Sequence, residues 1–355
     1  LMGASLAVVG ASGCRYPEET IEPFAIRPEG RVPGESYSRA TNIELAGRVY
    51  NLLVSCVDGR PLKIEPNKQH PAGGGTDAYA QASILGLYDP DRARSDDGFL
   101  LRRGAARRMS SNWGDFDTSA RLLLETAEGS NGGSAFAVLM SPTSSPSTLR
   151  MLAALKKRLP QATICRYDGV DGTAMSDATK ATFGKPAHQR LSLDDAKVIV
   201  AVQADILGTH KGMLSSASGF AKRRDPIAGD MNRLYVVEGG YSVTGASADT
   251  RLPLAPSQML AFIADLGRRV EALKSEEHNH DDETVPFDEL EPQARLERFI
   301  DQLAHDLAEA GDKGVVIVGD ALGPEAVAAG IAMNQKLGSL GKAQKFVEAV
   351  DAELS

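Results

Sequence analysis

From Ser134 onward the chain is a succession of short apolar runs and amphipathic stretches, and this alternation restricts the fold more than any other feature. Residues 135–140, 162–166, 197–202, 233–238 and 314–319 are runs of five or six, rich in Val, Ile, Leu and Ala, and at that length they read as buried strands. Residues 147–158, 257–274, 293–310 and 324–337 instead carry apolar positions at helical spacing, the last with Pro324 in its first turn. Strands joined through helices must cross back over the sheet, so they run mostly parallel with helices on both faces. The expected fold class is α/β, a mostly parallel, Rossmann-like sheet with flanking helices.

A small β-containing region precedes this part. Residues 48–57 and 61–65 alternate in polarity, and Asp58-Gly59 between them is the strongest hairpin signal in the chain. Residues 77–87 and 117–128 have helical spacing, with Asp117 or Thr118 as the expected cap of the second helix. The expected organisation is a remnant of an export signal (1–14), an extended arm with Pro17, Pro23, Pro28 and Pro33 (15–42), an N-terminal region (43–132), an α/β domain (133–275), a charged linker (276–294) and a second α/β unit (295–355). That last unit has one evident strand. A single strand makes no sheet, so the unit is expected to be incomplete or to complete its sheet elsewhere. The linker holds His278, His280, Asp281 and Asp282, which could in principle ligate a metal. A solvated linker is the favoured reading, because no helix or strand fixes their geometry.

A length of 355 residues allows two or three units with cores of their own, and a formal charge of -8 with a pI near 5.4 argues against a nucleic-acid surface. The densest basic patch, Arg102-Arg103 with Arg107-Arg108, reads as a surface or subunit contact. The three cysteines, Cys14, Cys56 and Cys165, are too few for a [4Fe–4S] cluster and lack zinc-ligand spacing, so neither a cluster nor a metal site is expected in this chain. Cys56 sits in a strand pattern as a small buried hydrophobe. Residues 1–13 are apolar, too short to span a bilayer, and read as the tail of a secretory signal with a lipobox-like ending at Ala11-Ser12-Gly13-Cys14. Export is the expectation, with Cys14 either lipidated or an ordinary leader residue.

No phosphate-binding P-loop, no G-x-G-x-x-G and no G-x-S-x-G occurs, which removes the common nucleotide and nucleophile-elbow chemistries. His210 follows a strand, where α/β proteins place ligands, yet a lone histidine there is more often an exposed loop residue.

Residues 52–92 add Asp58-Gly59-Arg60, Lys63-Ile64-Glu65, His70-Pro71 and Leu87-Tyr88-Asp89-Pro90-Asp91-Arg92 in that order. This block resembles the opening domain of the molybdopterin oxidoreductases of the dimethyl-sulfoxide-reductase superfamily, and the resemblance covers most of residues 40–340. Where that family reads Leu-Cys-x-Lys-Gly, this chain has Thr76-Asp77-Ala78-Tyr79-Ala80-Gln81. Where it commonly reads Gly-x-Asn after a strand, this chain has Gln203-Ala204-Asp205. Its V-V-D-P-R is here Val236-Val237-Glu238-Gly239-Gly240, and its L-P-I-R-P-G-T-D is Leu252-Pro253-Leu254-Ala255-Pro256-Ser257-Gln258. The resemblance implies the family's shape without the cysteine of the cluster, the lysine that bridges it to the pterin, or the arginine and glycine around the pyrophosphates.

A retained shape with lost cofactor residues is similar to the B subunit of alternative complex III, a membrane quinol:cytochrome c oxidoreductase. That likeness includes Gly13-Cys14-Arg15-Tyr16-Pro17-Glu18-Glu19 and residues 233–251. In that family a molybdenum-free domain is followed by a ferredoxin-like half with iron–sulfur clusters, whereas no cysteine lies beyond Cys165 here. The resemblance implies a non-catalytic scaffold on the periplasmic side of the cytoplasmic membrane. Its partners would be the ferredoxin-like domain, cytochrome c subunits and other subunits of a quinol-oxidising complex, with no nucleic acid. Two alternatives stand beside it. One is an active molybdopterin-type oxidoreductase with atypical ligands. The other is a small-molecule binding module using the vacated nucleotide cleft, lined at strand carboxyl ends by Ser141, Asp205, Gly208, Glu238, Thr244 and Gly319.

Overall fold

The Asp58-Gly59 signal is realised as a turn with both residues at positive φ, 48° and 85°, which matches the twist of the strands it joins. The turn belongs to a three-stranded antiparallel sheet of β1 (Ser36–Leu45), β2 (Arg48–Val57) and β3 (Arg60–Pro66), in the order β1-β2-β3. The computed structural model describes residues 32–45, 48–71, 73–92, 99–103, 107–167, 169, 173–275 and 291–349. The expected export-signal remnant with Cys14, most of the expected Pro-rich arm and the linker residues His278, His280, Asp281 and Asp282 lie outside the described residues. Residues 36–42, expected in the arm, are instead most of β1. That strand has only Tyr37, Ile43 and Leu45 half-buried, which leaves no hydrophobic alternation to read. Cys56 is buried, as its pattern suggested.

Asp77 caps the short α1 (Ala78–Ala82) by accepting from Ala80 N at 2.8 Å. An antiparallel hairpin, β4 (Phe99–Arg103) and β5 (Arg107–Ser111), leads into α2 (Trp113–Gly129). Asn112, rather than Asp117 or Thr118, caps α2 by accepting from Asp115 N at 3.1 Å, so the helix starts a turn earlier than expected. Then β6 (Ala137–Met140), α3 (Pro146–Arg158) and β7 (Thr163–Arg166) form a βαβ unit with its two strands parallel.

Next come α4 (Ala174–Phe183), β8 (Ala187–Leu191) and β9 (Val198–Val202). They are followed by α5 (Met213–Ala221), β10 (Arg233–Glu238), the one-turn α6 (Val243–Ala246) and β11 (Thr250–Pro253). The chain continues through α7 (Pro256–Ser275), α8 (Pro292–Ala310), β12 (Gly314–Val318), α9 (Pro324–Leu337) and β13 (Gln344–Glu348). Strands β11, β10, β9 and β12 make a wholly parallel sheet in that order. The strand expected to open a separate, incomplete second unit therefore joins the main sheet, with Gly314–Val318 in register with β9. A run buried along its whole length carries no mark of which sheet it enters, so the sequence pattern separated what the fold unites.

Alternate residues of these strands feed two cores. Val200, Val202, Tyr235, Val237, Val316 and Val318 meet α7, α8 and α9 on one face, while Ile199, Ala201, Leu234, Val236, Val315 and Ile317 meet Leu191, Leu193 and Phe220 on the other. Among the described residues no helix is long and apolar enough to cross a membrane.

Candidate functional site

Successive strands β9, β10 and β11 step outward in one direction, and β12 then returns to the opposite side of β9. Between β9 and β12 the order reverses, and open parallel sheets use the carboxyl ends of strands at such a point for ligands. Gln203, the residue after β9, has φ 48°, a conformation that costs energy for a residue with a Cβ. Its carbonyl lies where a Cβ on Gly319 would overlap it, so only glycine fits after β12. Its side-chain Oε1 accepts from Gly239 N at 3.0 Å and so links β9 to the loop after β10.

Asp205, after β9, and Glu238, at the end of β10, are engaged at both of their carboxylate oxygens. Asp205 Oδ1 accepts from Thr244 N at 3.0 Å and from Thr244 Oγ1 at 2.8 Å, while Oδ2 accepts from Thr209 N at 3.0 Å. Thr244 Oγ1 in turn accepts from Leu207 N at 2.9 Å. Glu238, 3% exposed, accepts from Arg251 Nε at 2.6 Å and from Ser242 Oγ at 2.6 Å. Ser242 Oγ also accepts from Gly245 N at 3.0 Å as the cap of α6. The Glu238 carboxylate fills the space that a Cβ on Gly245 would need. Arg251 is stacked 3.8 Å from the centroid of the exposed Tyr241 ring. A third carboxylate, Glu44 of β1, serves the loop after β6. It accepts from Thr143 Oγ1 and from Ser144 N, each at 2.9 Å.

The N-terminal sheet also closes over the loop after β9. Arg48 donates to the Thr209 carbonyl and to Asp77 Oδ2 at 3.4 Å, and Asp77 Oδ2 accepts from Tyr50 OH at 2.7 Å. Leu214 packs on the small core of Tyr50, Leu52, Ile64 and Ala80. Beneath this seam, Gly212 N donates to His210 Nδ1 at 3.0 Å, which leaves the proton on Nε2, 3.3 Å from Gln189 Oε1. Burial, reinforced by Arg48 and opposed by Asp205, lowers His210 from 6.5 to about 4. Below pH 6.5 the unfolded chain then takes up a proton that the folded chain refuses. Stability is whole above pH 6.5 and falls by about 2–3 kcal/mol as pH drops towards 4. Urea melts of the protein and of His210→Gln at pH 7 and pH 4.5 check this. Equal losses in both would mean the ring is not held neutral.

Of the six residues named from the sequence, Asp205 and Thr244 bond directly, Gly208 lies against the Asp205 carboxylate, and Glu238 borders the same α6 turn. Gly319 stands across the switch point, touching Gln203. Ser141 does not join them; it follows β6 in the separate β6–β7 sheet. The sequence reading missed Glu44, Arg48, Asp77, Gln203, Ser242 and Arg251. Ser242, two residues before Thr244, had a visible capping signal; the others depend on contacts between segments far apart in the chain. Asp320, next to Gly319, has its carboxyl raised by burial, an effect that Lys211 opposes. Among the described residues, His305, Asp306 and Glu309 bring possible metal-ligand atoms within 4.8 Å of one another. However, both Asp306 oxygens are already taken, by Arg233 and Tyr235 OH on one and Gln302 on the other.

No protein-family model matches the chain. It is similar to the menaquinone reductase, molybdopterin-binding-like subunit of Nitratidesulfovibrio vulgaris, at 24% identity over 306 residues that cover 81% of this chain and 42% of that subunit. The chain thus spans less than half the length of this curated relative. Among solved structures, acetylene hydratase from Pelobacter acetylenicus aligns with a TM-score of 0.49 at 14% identity, covering 87% of this chain and 42% of that one.

Proposed function

We propose that this chain is a non-catalytic, molybdopterin-oxidoreductase-like scaffold domain of a membrane-associated electron-transfer complex that works on a quinone or quinol. The observation that carries the reading is the pair of carboxylates Asp205 and Glu238 at the carboxyl ends of β9 and β10. They take up the Thr244 and Thr209 N–H groups and the Arg251 guanidinium. A pyrophosphate-bearing pterin needs such donors for its own charge. At this edge it would meet carboxylates already holding them, together with Asp320. The residues therefore do not fit that group, and no step of catalysis is drawn through it. The buried Glu238–Arg251 pair and the Asp205–Thr244 bonds instead tie three loops into one rigid end of the sheet.

The name of the curated relative, a subunit of a menaquinone reductase, supports a place in a quinone-linked assembly. Within that class, the resemblance to the B subunit of alternative complex III favours an exported protein facing the periplasm. Cytochrome c subunits and a ferredoxin-like part bearing the iron–sulfur clusters would be its neighbours, and Cys14 its lipid attachment point. The test is metal and pterin content of the full-length protein taken from its native membrane, by elemental analysis and by fluorescence after oxidative release. Iron without molybdenum or pterin is the expected result. Stoichiometric pterin would overturn the reading and return the cleft to an active oxidoreductase with atypical ligands.

A further inference from the structure

The N-terminal sheet meets the main α/β part along a short stretch, residues 209–214, which leads from the loop after β9 into α5. Arg48 of β2 donates to the Thr209 carbonyl, and Leu214 packs on Tyr50, Leu52, Ile64 and Ala80. Gly75 lies against the same leucine, since a Cβ there would come within 3.2 Å of Leu214 Cδ1. A second anchor, Glu44 on Thr143 and Ser144, leads to the β6–β7 unit instead.

His210 stands between the two contacts of this stretch, and its ring holds the backbone in shape. Nδ1 accepts from the N–H of Gly212, the N-cap of α5, and the Nε2 proton faces Gln189 Oε1 on β8. A second proton on the ring must therefore go to Nδ1. There it would meet the Gly212 N–H donor against donor, at the positive end of α5. The charges around the ring also oppose it. Arg48 approaches from β2, Lys211 is the next residue, and Lys211 in turn acts on Asp320 after β12. From β8 the ring meets the neutral Gln189, and α5 has no titratable side chain. Asp205 is the acid that favours a charged ring, but its oxygens already accept from Thr244 and Thr209. Asp77, beyond Arg48, accepts from Arg48, Tyr50 OH and Ala80 N.

We infer that residues 209–214 are an acid-released latch: a proton on His210 disrupts the segment, Arg48 and Leu214 lose their seats together, and the N-terminal sheet opens while the parallel sheet stays folded. This latch stands on the geometry of the seam and does not depend on the scaffold reading. Opening returns the ring from about 4 to its ordinary 6.5. Above pH 6.5 the ring is neutral in both forms, so opening does not change with pH. Between 6.5 and 4 the open form binds a proton that the closed form refuses, and the opening constant rises about tenfold per pH unit. Below 4 both forms carry the proton and the rise ends, after about 300-fold in all.

Amide exchange of the full-length protein between pH 7.5 and pH 4.5, converted to opening constants, follows β2 and β3 separately from β9 and β12. Opening of β2 and β3 is expected to rise about tenfold per unit below pH 6.5, with β9 and β12 unchanged. His210→Gln offers Gly212 N an uncharged acceptor and does not titrate, so in that variant the rise should vanish. If the variant does not fold, ring-nitrogen resonances of the parent decide. A ring that stays neutral to pH 5, with its proton on Nε2, supports the latch; a ring that protonates near 6.5 with the sheet still closed overturns it. Opening of β2 and β3 that ignores pH overturns it too. So does an equal rise in His210→Gln, which would assign the effect to the carboxylates of Glu44, Asp77 and Asp205. Loss of protection in both sheets together would mean that acid unfolds the whole protein and that no latch exists.

Discussion

Replacing Asn334 by leucine is expected to cost about 3–5 kcal/mol of folding stability, although the side chains are close in volume. Among the described residues strand β12 is the edge of the parallel sheet, and the edge of Val316 that faces away from β9 has no described strand beside it. Asn334, wholly buried on α9, takes that place. Its Oδ1 accepts from Val316 N at 2.8 Å, and its Nδ2 donates to Val316 O at 2.7 Å and to Gln344 Oε1 at 2.8 Å. Leucine would leave a buried N–H and a buried C=O without partners, each worth about 1–3 kcal/mol, in addition to the Gln344 amide. Asn334→Asp separates the contributions. It keeps an acceptor for Val316 N; protonated, it offers one O–H donor where the amide offered two N–H groups, and ionised it offers none, so the variant should weaken further as pH rises past the carboxylate range. Urea denaturation at pH 5 and pH 8 reads all three proteins. A loss below about 1 kcal/mol for the leucine variant would mean that water or strand movement replaces the amide.

The same helix shows where sequence reasoning reached its limit. The periodicity of 324–337 and the apolar run of 314–319 were both legible, because burial on one helix face and along one strand leaves a pattern in the residues themselves. The insertion of β12 beside β9 was not, since pairing between strands more than a hundred residues apart leaves no local mark. Nothing in that periodicity marks Asn334, which completes a ladder. At the candidate site the split is similar. Asp205, Glu238 and Thr244 could be named because strand carboxyl ends can be located from the strands. Arg251 and Glu44 could not be assigned, since their roles come from contacts 13 and 99 residues away along the chain. Ser141 was placed by analogy with the other strand ends, and failed because β6 pairs only with β7 among the described strands.

Removal of the site's carboxylates is where scaffold and enzyme make opposite predictions. Asp205→Ala would strip acceptors from Thr244 N, Thr244 Oγ1 and Thr209 N, and Glu238→Ala would leave the Arg251 guanidinium and the Ser242 hydroxyl without their carboxylate. Each change is expected to cost about 2–4 kcal/mol, the glutamate variant chiefly because a partly buried charge loses its counter-ion. Both residues act on the one-turn α6, Asp205 through Thr244 and Glu238 through Ser242, so the double variant should fall short of the sum. Asp205→Asn should lie between, because its oxygen can still accept from Thr244 while its amide N faces the Thr209 N–H as a second donor. Carboxylates held for chemistry behave differently: they sit in strained surroundings kept for reactivity, and truncating them is commonly neutral or stabilising. Chemical denaturation of the three single variants and the double therefore reads function through the sign of a stability change. Unchanged or increased stability in Asp205→Ala and Glu238→Ala would sink the scaffold reading, because groups that structure does not need are retained for something else.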